Sequence, residues 1–261
     1  MTIRFDAWRR FLGAVAVSLC AGTAAQAGPV MPAFGDVPTG WVTDRYAPAQ
    51  FANMGAYKGR GDVLAIGISQ ADALANRSGP YQSAFYNTQG MQHAVSGGAG
   101  SSIDASLYVD AAWRDGQAGN VRTDMWGVAS GGAQLGYAII GFTNYGGDAR
   151  YRVWDADTQT GWVDLDLAVQ FGQWTDFSIN FTGSSFDYFV NGALAYSDQT
   201  IGGATGYSAV IMQAYNFGDP SLQGAVAKDY TVHWANVPEP GSLALAGLGL
   251  VALVARRRRQ A

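Results

Sequence analysis

The sequence predicts an all-β fold, a two-sheet antiparallel sandwich, set between two terminal segments that are not part of it. Three observations carry the prediction. The chain of 261 residues is 48% hydrophobic and only 14% charged, too apolar a composition to stay disordered. Its 35 glycines and 13% aromatic residues favour short strands joined by tight turns. Apolar residues recur with period two in one stretch after another, and nothing between the termini keeps helical spacing beyond two turns.

At the N-terminus Arg4, Arg9 and Arg10 precede the apolar run 11–21, and Ala25 and Ala27 form a small-x-small cleavage signal before Gly28. This is the pattern of a signal peptide over residues 1–27, removed by signal peptidase. The apolar run falls short of the ~20 residues that a membrane span needs. Cys20 is the only cysteine and lies in this segment, so the mature chain is expected to depend on packing and backbone pairing rather than disulfides.

Residues 28–236 contain no Pro- or Ser-rich linker and no internal repeat, which predicts one domain. The run 63–68 reads as a strand, and 69–76 as one short surface helix. From Ile103 to Trp113 odd-numbered apolar residues alternate with Asp104, Ser106, Tyr108 and Asp110, which predicts a half-buried strand over the whole stretch. The runs 137–142 and 207–214 read as strands too. Tyr151 and Val153 share one face, and Arg150, Arg152 and Trp154 the other. Tyr230, Val232 and Trp234 share a face opposite His233, which is expected at the surface. Two hairpins lie between Trp174 and Tyr196. Phe177, Ile179 and Phe181 face one way, Gly183 turns the chain, and Phe186, Tyr188 and Val190 return. Asn191-Gly192 then supplies the positive φ that both positions of a type I′ turn require. Trp174 and Trp234 are expected in the core.

The C-terminal segment, 237–261, begins with Pro238-Glu239-Pro240. Fifteen apolar residues, 241–255, follow, and then Arg256, Arg257, Arg258 and Arg259. As a helix the apolar stretch spans about 22 Å against a hydrocarbon core of ~30 Å, a short transmembrane helix completed by snorkelling arginines. The arginines hold that end in the cytoplasm and place residues 28–236 across the membrane. Motif, helix and basic end, in this order, resemble the PEP-CTERM sorting signal of Gram-negative bacteria. The resemblance implies recognition and cleavage by a membrane exosortase, and export to the cell surface or extracellular matrix. It also implies association with exopolysaccharide and biofilm. Without cleavage the helix would remain as a membrane anchor.

The spacing Trp174-x-x-Phe177-x-Ile179-x-Phe181, then Phe186-x-Tyr188-x-Val190-Asn191-Gly192-x-Leu194, is similar to the late hairpins of concanavalin A-like (laminin-G-like) jelly rolls. That resemblance implies a jelly-roll arrangement of the two sheets. It leaves function open, since lectins, hydrolases and structural modules share the architecture.

Charge and residue types narrow the chemistry. Residues 28–236 hold nine Lys and Arg against eighteen Asp, which disfavours nucleic acid as a partner. Glu239 is the only glutamate, so the Glu-x-Asp-x-x-Glu motif of the jelly-roll glucanases cannot occur. Only Asp pairs such as Asp155/Asp157, Asp164/Asp166 and Asp104/Asp110 remain for two-carboxylate chemistry. His93 and His233 are the only histidines, and no Gly-x-Ser-x-Gly elbow is present. No catalytic residue and no organic cofactor is assigned. Asp155 and Asp157 place oxygen ligands at alternate positions, which suits Ca²⁺, with Asp164 and Asp166 nearby. Of the seven tryptophans after the signal peptide, Trp126 and Trp162 flank Gly-rich turns and Trp154 lies beside Arg150 and Arg152. These three are the expected sugar-stacking platforms. The expected role is that of a non-enzymatic surface or matrix protein that binds polysaccharide. A matrix protein without a ligand and an Asp-based polysaccharide hydrolase or lyase are the alternatives.

Overall fold

The computed structural model describes residues 28–132 and 136–238. Among them, two seven-stranded antiparallel sheets pack face to face as a jelly-roll sandwich. In chain order the first strands are β1 (Trp41–Thr43), β2 (Gln50–Asn53), β3 (Leu64–Ile68), β4 (Thr88–Gly97), β5 (Ser101–Val109), β6 (Arg122–Ser130) and β7 (Tyr137–Thr143). The rest are β8 (Arg150–Trp154), β9 (Trp162–Asp164), β10 (Gln173–Phe181), β11 (Phe186–Val190), β12 (Ala193–Asp198), β13 (Gly206–Tyr215) and β14 (Tyr230–Asn236). One sheet runs β12-β11-β10-β5-β14-β3-β2 and the other β1-β4-β13-β6-β7-β8-β9. They are called the first and second sheet below.

The core forms where the two inner faces meet. The first sheet contributes Ile103, Leu107, Val109, Phe177, Ile179, Phe181, Val232 and Trp234. The second contributes Met125, Ile140, Phe142, Tyr151, Val153, Val210 and Met212. Each fully buried side chain of this size stabilises the fold by about 1.5–3 kcal/mol. Polar tips inside the core are paired across the sheets. Trp234 Nε1 donates to Thr123 Oγ1 (3.0 Å), Tyr207 Oη to the Ile179 carbonyl (2.9 Å), and Tyr151 Oη lies 2.8 Å from Thr175 Oγ1.

The strand runs expected at 63–68, 137–142, 150–154, 207–214 and 230–234 are strands within one or two residues at their ends, and Asn191 (φ 50°) and Gly192 (φ 78°) make the expected tight turn. Three expectations are corrected. The strand expected to reach Trp113 ends at Val109, because Asp110 Oδ1 accepts the Ala112 N–H and starts a 3-10 turn, Ala111–Trp113. The helix expected at 69–76 is two 3-10 turns, Gln70–Asp72 and Leu74–Asn76, the first capped by Ser69 Oγ. Trp174 is not in the core. Its even number puts it opposite Phe177, Ile179 and Phe181, on the outer face of the first sheet, half-buried.

That outer face is covered by the chain itself. The segment linking β2 to β3 lies over it as a strap. Tyr57 stacks on His233 (4.0 Å between ring centroids, 19° between planes), so His233 is half-buried rather than a plain surface residue. Trp174 Nε1 donates to the Lys58 carbonyl (3.0 Å), and Arg60 binds Asp176 (3.1 Å) and Ser106 Oγ (2.8 Å). The strap explains why β3 is buried on both faces and reads as a continuous apolar run.

The domain is tied at both ends. The Ser102 N–H donates to the Gly28 carbonyl (3.1 Å), and Asn236 closes β14 by accepting the Phe34 N–H (2.9 Å) and donating to the Pro32 carbonyl (3.0 Å). Ala25, Ala27, Glu239, Pro240, Arg256, Arg257, Arg258 and Arg259, and with them the cleavage sites and the apolar tail, lie outside the described residues. Among the described residues no helix is long and apolar enough to cross a membrane.

Candidate functional site

The outer face of the second sheet carries the other set of aromatic side chains, mostly buried and open to solvent mainly toward β8 and β9. Strand register arranges its side chains in cross-strand rows. Ile211, Trp126, Ile139, Trp154 and Trp162 form one row, from β13, β6, β7, β8 and β9 in turn. Trp126, Trp154 and Trp162 are therefore brought together on one face by pairing alone. They pack with Val128, Tyr137 and Ala209 into a second apolar cluster, separate from the main core. Trp154 and Trp162 meet edge to face at 5.2 Å. Gly161, at φ 73°, leaves the space that the Trp154 ring occupies. Trp126 is only 6% exposed and forms the floor, with the Arg45 guanidinium 4.5 Å above its ring. Trp154 and Trp162 are half-buried and form the accessible part of the row.

The adjacent row is polar: Gln213, Asp124, Gly141, Arg152 and Asp164. Asp124 is fully buried, ion-paired with Arg122 (2.8 Å) and hydrogen-bonded by Gln213 Nε2. A side chain at Gly141 would collide with Asp124 Oδ1 and the Thr123 carbonyl, so glycine here makes room for the buried carboxylate. Arg152 packs its guanidinium 3.7 Å over the Trp162 ring, and Arg122 lies 4.8 Å over the same ring. Burial, and then the Arg122 charge beside it, push the Arg152 guanidinium down to about 9, which still leaves it charged at neutral pH. Asp164 pairs with Arg150 (2.9 Å), in the polar row and away from Asp155 and Asp157.

Beyond Arg45 the face ends in an aromatic rim. Phe85 (59% exposed) and Tyr81 (39% exposed) flank Tyr86, and Tyr81 meets Tyr46 at 5.4 Å. Arg45 bridges rim and floor, since its guanidinium also lies 4.8 Å over Phe85. Sequence reading missed Arg45, Arg122, Asp124 and Gln213. The alternation Arg122, Asp124, Trp126 carried a signal for β6, but the rim and Arg45 come from loops that no local pattern places.

At the β8 end, Asp155 and Asp157 are joined by Asp198 of β12, with one carboxylate oxygen from each within 4.8 Å of the others. Asp155 accepts from Tyr196 Oη (2.6 Å) and from the Asp157 N–H (2.9 Å). The hydrogen bond to Asp155 pushes the Tyr196 hydroxyl up to about 12. Burial raises Asp198 above the usual carboxylate range, and the Asp155 and Asp157 charges raise it further, against the Thr200 N–H that lowers it. The three oxygens could hold a hard divalent cation, which would relieve this repulsion. A cavity of about 420 Å³ adjoins them, lined in part by Tyr137, Trp154, Asp157, Asp198 and Ile201. His93, the other histidine, packs edge-on against Trp41 at 5.4 Å and belongs to neither site.

Residues 236–259 match the family model of the PEP-CTERM protein-sorting motif. The PEP-CTERM signal implies export to the cell envelope or surface in Gram-negative bacteria, and processing by an exosortase. It begins at Asn236, the last residue of β14, so the sandwich leads directly into the sorting segment. No curated protein matches the chain significantly. Among solved structures, a Bacillus licheniformis β-glucanase is similar at 14% identity and a TM-score of 0.47, covering 80% of this chain and 97% of its own. A non-specific endo-β-1,3(4)-glucanase from family GH16 is similar at 12% identity and a TM-score of 0.45, covering 80% and 88%. A Bacteroides ovatus GH16 protein in complex with a mixed-linkage glucan product is similar at 11% identity and a TM-score of 0.42, covering 74% and 91%. The jelly-roll assignment itself rests on the strand order and register described above.

Proposed function

We propose that this chain is a non-enzymatic, exported surface or matrix protein that binds extracellular polysaccharide along the outer face of the second sheet, in an exopolysaccharide or biofilm setting. The carrying observation is the single cross-strand row that unites Trp126, Trp154 and Trp162 from three strands. Sugar rings stack their apolar faces on accessible aromatic side chains, here the half-buried Trp154 and Trp162, and neighbouring Asp, Gln and Arg side chains bond hydroxyls. Trp126, 6% exposed beneath Arg45, is a buried support rather than the platform expected from the sequence. A ligand-free matrix protein would be expected to bury all seven tryptophans, whereas Trp154, Trp162 and Trp174 are half-buried. A hydrolytic site would need two free carboxyl groups across a scissile bond. Among the described residues there is no glutamate, and Asp124 is fully buried with Oδ2 held by Arg122 and Gln213. Asp155, Asp157 and Asp198 crowd within 4.8 Å of one another in the manner of a cation site.

The test is binding of the purified protein to a panel of soluble polysaccharides, for wild type, Trp154→Ala and Trp162→Ala. Loss of either platform is expected to weaken binding about 10-fold, or about 1.4 kcal/mol. No release of reducing ends is expected. Silence across the panel, or affinity untouched in both variants, would refute the binding role. Turnover abolished by Asp155→Asn or Asp164→Asn would make the protein an enzyme instead.

A further inference from the structure

We infer that the polysaccharide taken by this face carries carboxylates, as in a polyuronate, and that Arg152 is the residue that reads them. The inference rests on the reading that the face binds glycans, and deepens it. Arg152 is 9% exposed, and no carboxylate among the described residues pairs with it. Its Nε and Nη2 are buried without a hydrogen-bond partner. These two atoms form the side-on fork of a guanidinium, the edge that meets both oxygens of a planar carboxylate. Trp162 occupies the flat face of the guanidinium, at 3.7 Å, and stacking there does not use the enclosed in-plane edge, which stays unpaired.

The charges around Arg152 point the same way. Arg122 and Arg150 oppose its charge, and Asp124 and Asp164 favour it. Both acids are already committed, Asp124 to Arg122 and Asp164 to Arg150. The Arg152 cation thus has no carboxylate of its own within ion-pair distance, a state that a buried charge reaches only at a cost to stability. Residues 28–236 carry twice as many Asp as Lys and Arg, yet Arg45, Arg122, Arg150 and Arg152 gather on this one face. Trp126 Nε1, another buried donor without a partner, lies in the neighbouring row. An anionic substituent supplies what these donors lack, and Trp154, half-buried beside the cavity with no guanidinium over its ring, receives the sugar ring that bears it.

The experiment compares four probes on the purified protein: polygalacturonate, the same polymer with its carboxyls reduced to alcohols, a neutral β-glucan and dextran sulfate. Polygalacturonate is expected to bind at least about 10-fold more tightly than its reduced form and than dextran sulfate, with affinity falling as salt rises. Arg152→Gln is expected to abolish that preference, and Arg152→Lys, which keeps the charge without the fork, to lose most of it. Thermal unfolding checks the variants: a partner-less buried cation removed by Arg152→Met should leave the melting temperature equal or higher. Equal affinity for acidic and reduced polymers would overturn the inference while leaving glycan binding intact. Equal affinity for dextran sulfate would replace carboxylate recognition by general anion binding. Failure to bind any of the four would remove the glycan reading and the inference with it.

Discussion

At the scale of single residues, parity along a strand decides which way a side chain faces. Trp174 shows the point, because it lies three positions before Phe177, an odd offset, and so it faces away from the core. His233 is the companion case. Its alternation with Val232 and Trp234 places it outside correctly, but a strap more than 170 residues away in sequence then covers it with Tyr57. Burial pushes the imidazole below its ordinary value of 6.5, against the pull of Asp110 upward. The native state therefore binds the proton less readily than the unfolded chain does. Stability is lost as pH falls below about 6.5, by a fraction of about 1 kcal/mol for so partly screened a group. Denaturant unfolding at pH 7.5 and pH 5.5 should show a smaller loss in His233→Gln than in wild type. In NMR the His233 ring should titrate below 6.5. A normal midpoint, with equal losses in both proteins, would contradict this account.

At the scale of elements, the informative unit is the pair of strand ends that carries Asp155, Asp157 and Asp198. Sequence reading found the first two through their i, i+2 spacing. Asp198 was out of reach, since it joins them only when β12 and the turn after β8 come to the same end of the sandwich. Asp198 holds its proton more tightly in the folded chain than its ordinary value of 3.8 allows. Its ionisation therefore opposes folding at neutral pH, and that opposition disappears as pH falls through the raised value. Asp198→Asn keeps an acceptor for the Thr200 N–H and removes the charge. It should raise the melting temperature by about 1–2 °C at pH 7 and leave it unchanged near pH 4. Millimolar Ca²⁺ should raise the wild-type melting temperature and act more weakly on the variant. Indifference of both proteins to Ca²⁺ would remove the cation from this site.

At the scale of the whole molecule, the sandwich leads into the PEP-CTERM sorting motif, and the sequence pattern of residues 1–27 predicts a signal peptide before it. Intact mass of the protein from its host should show a chain that starts at Gly28 and ends near Pro240. Deletion of Pro238 to Pro240 should leave Arg256 to Arg259 attached. A wild-type mass that retains those arginines would mean a permanent membrane anchor. By itself the sequence determined the sorting motif at the C-terminus, the all-β class, most strand positions and the Asn191-Gly192 turn. All of these are local: a sorting tail, a period of two and a positive φ are written in neighbouring residues. Tertiary structure alone decided that three separate tryptophans share one row, that Trp126 is buried while Trp154 and Trp162 stay half-buried, and that Arg152 is buried without an ion-pair partner. Those depend on strand order and register, which bring together residues far apart in the chain, and no local pattern encodes them.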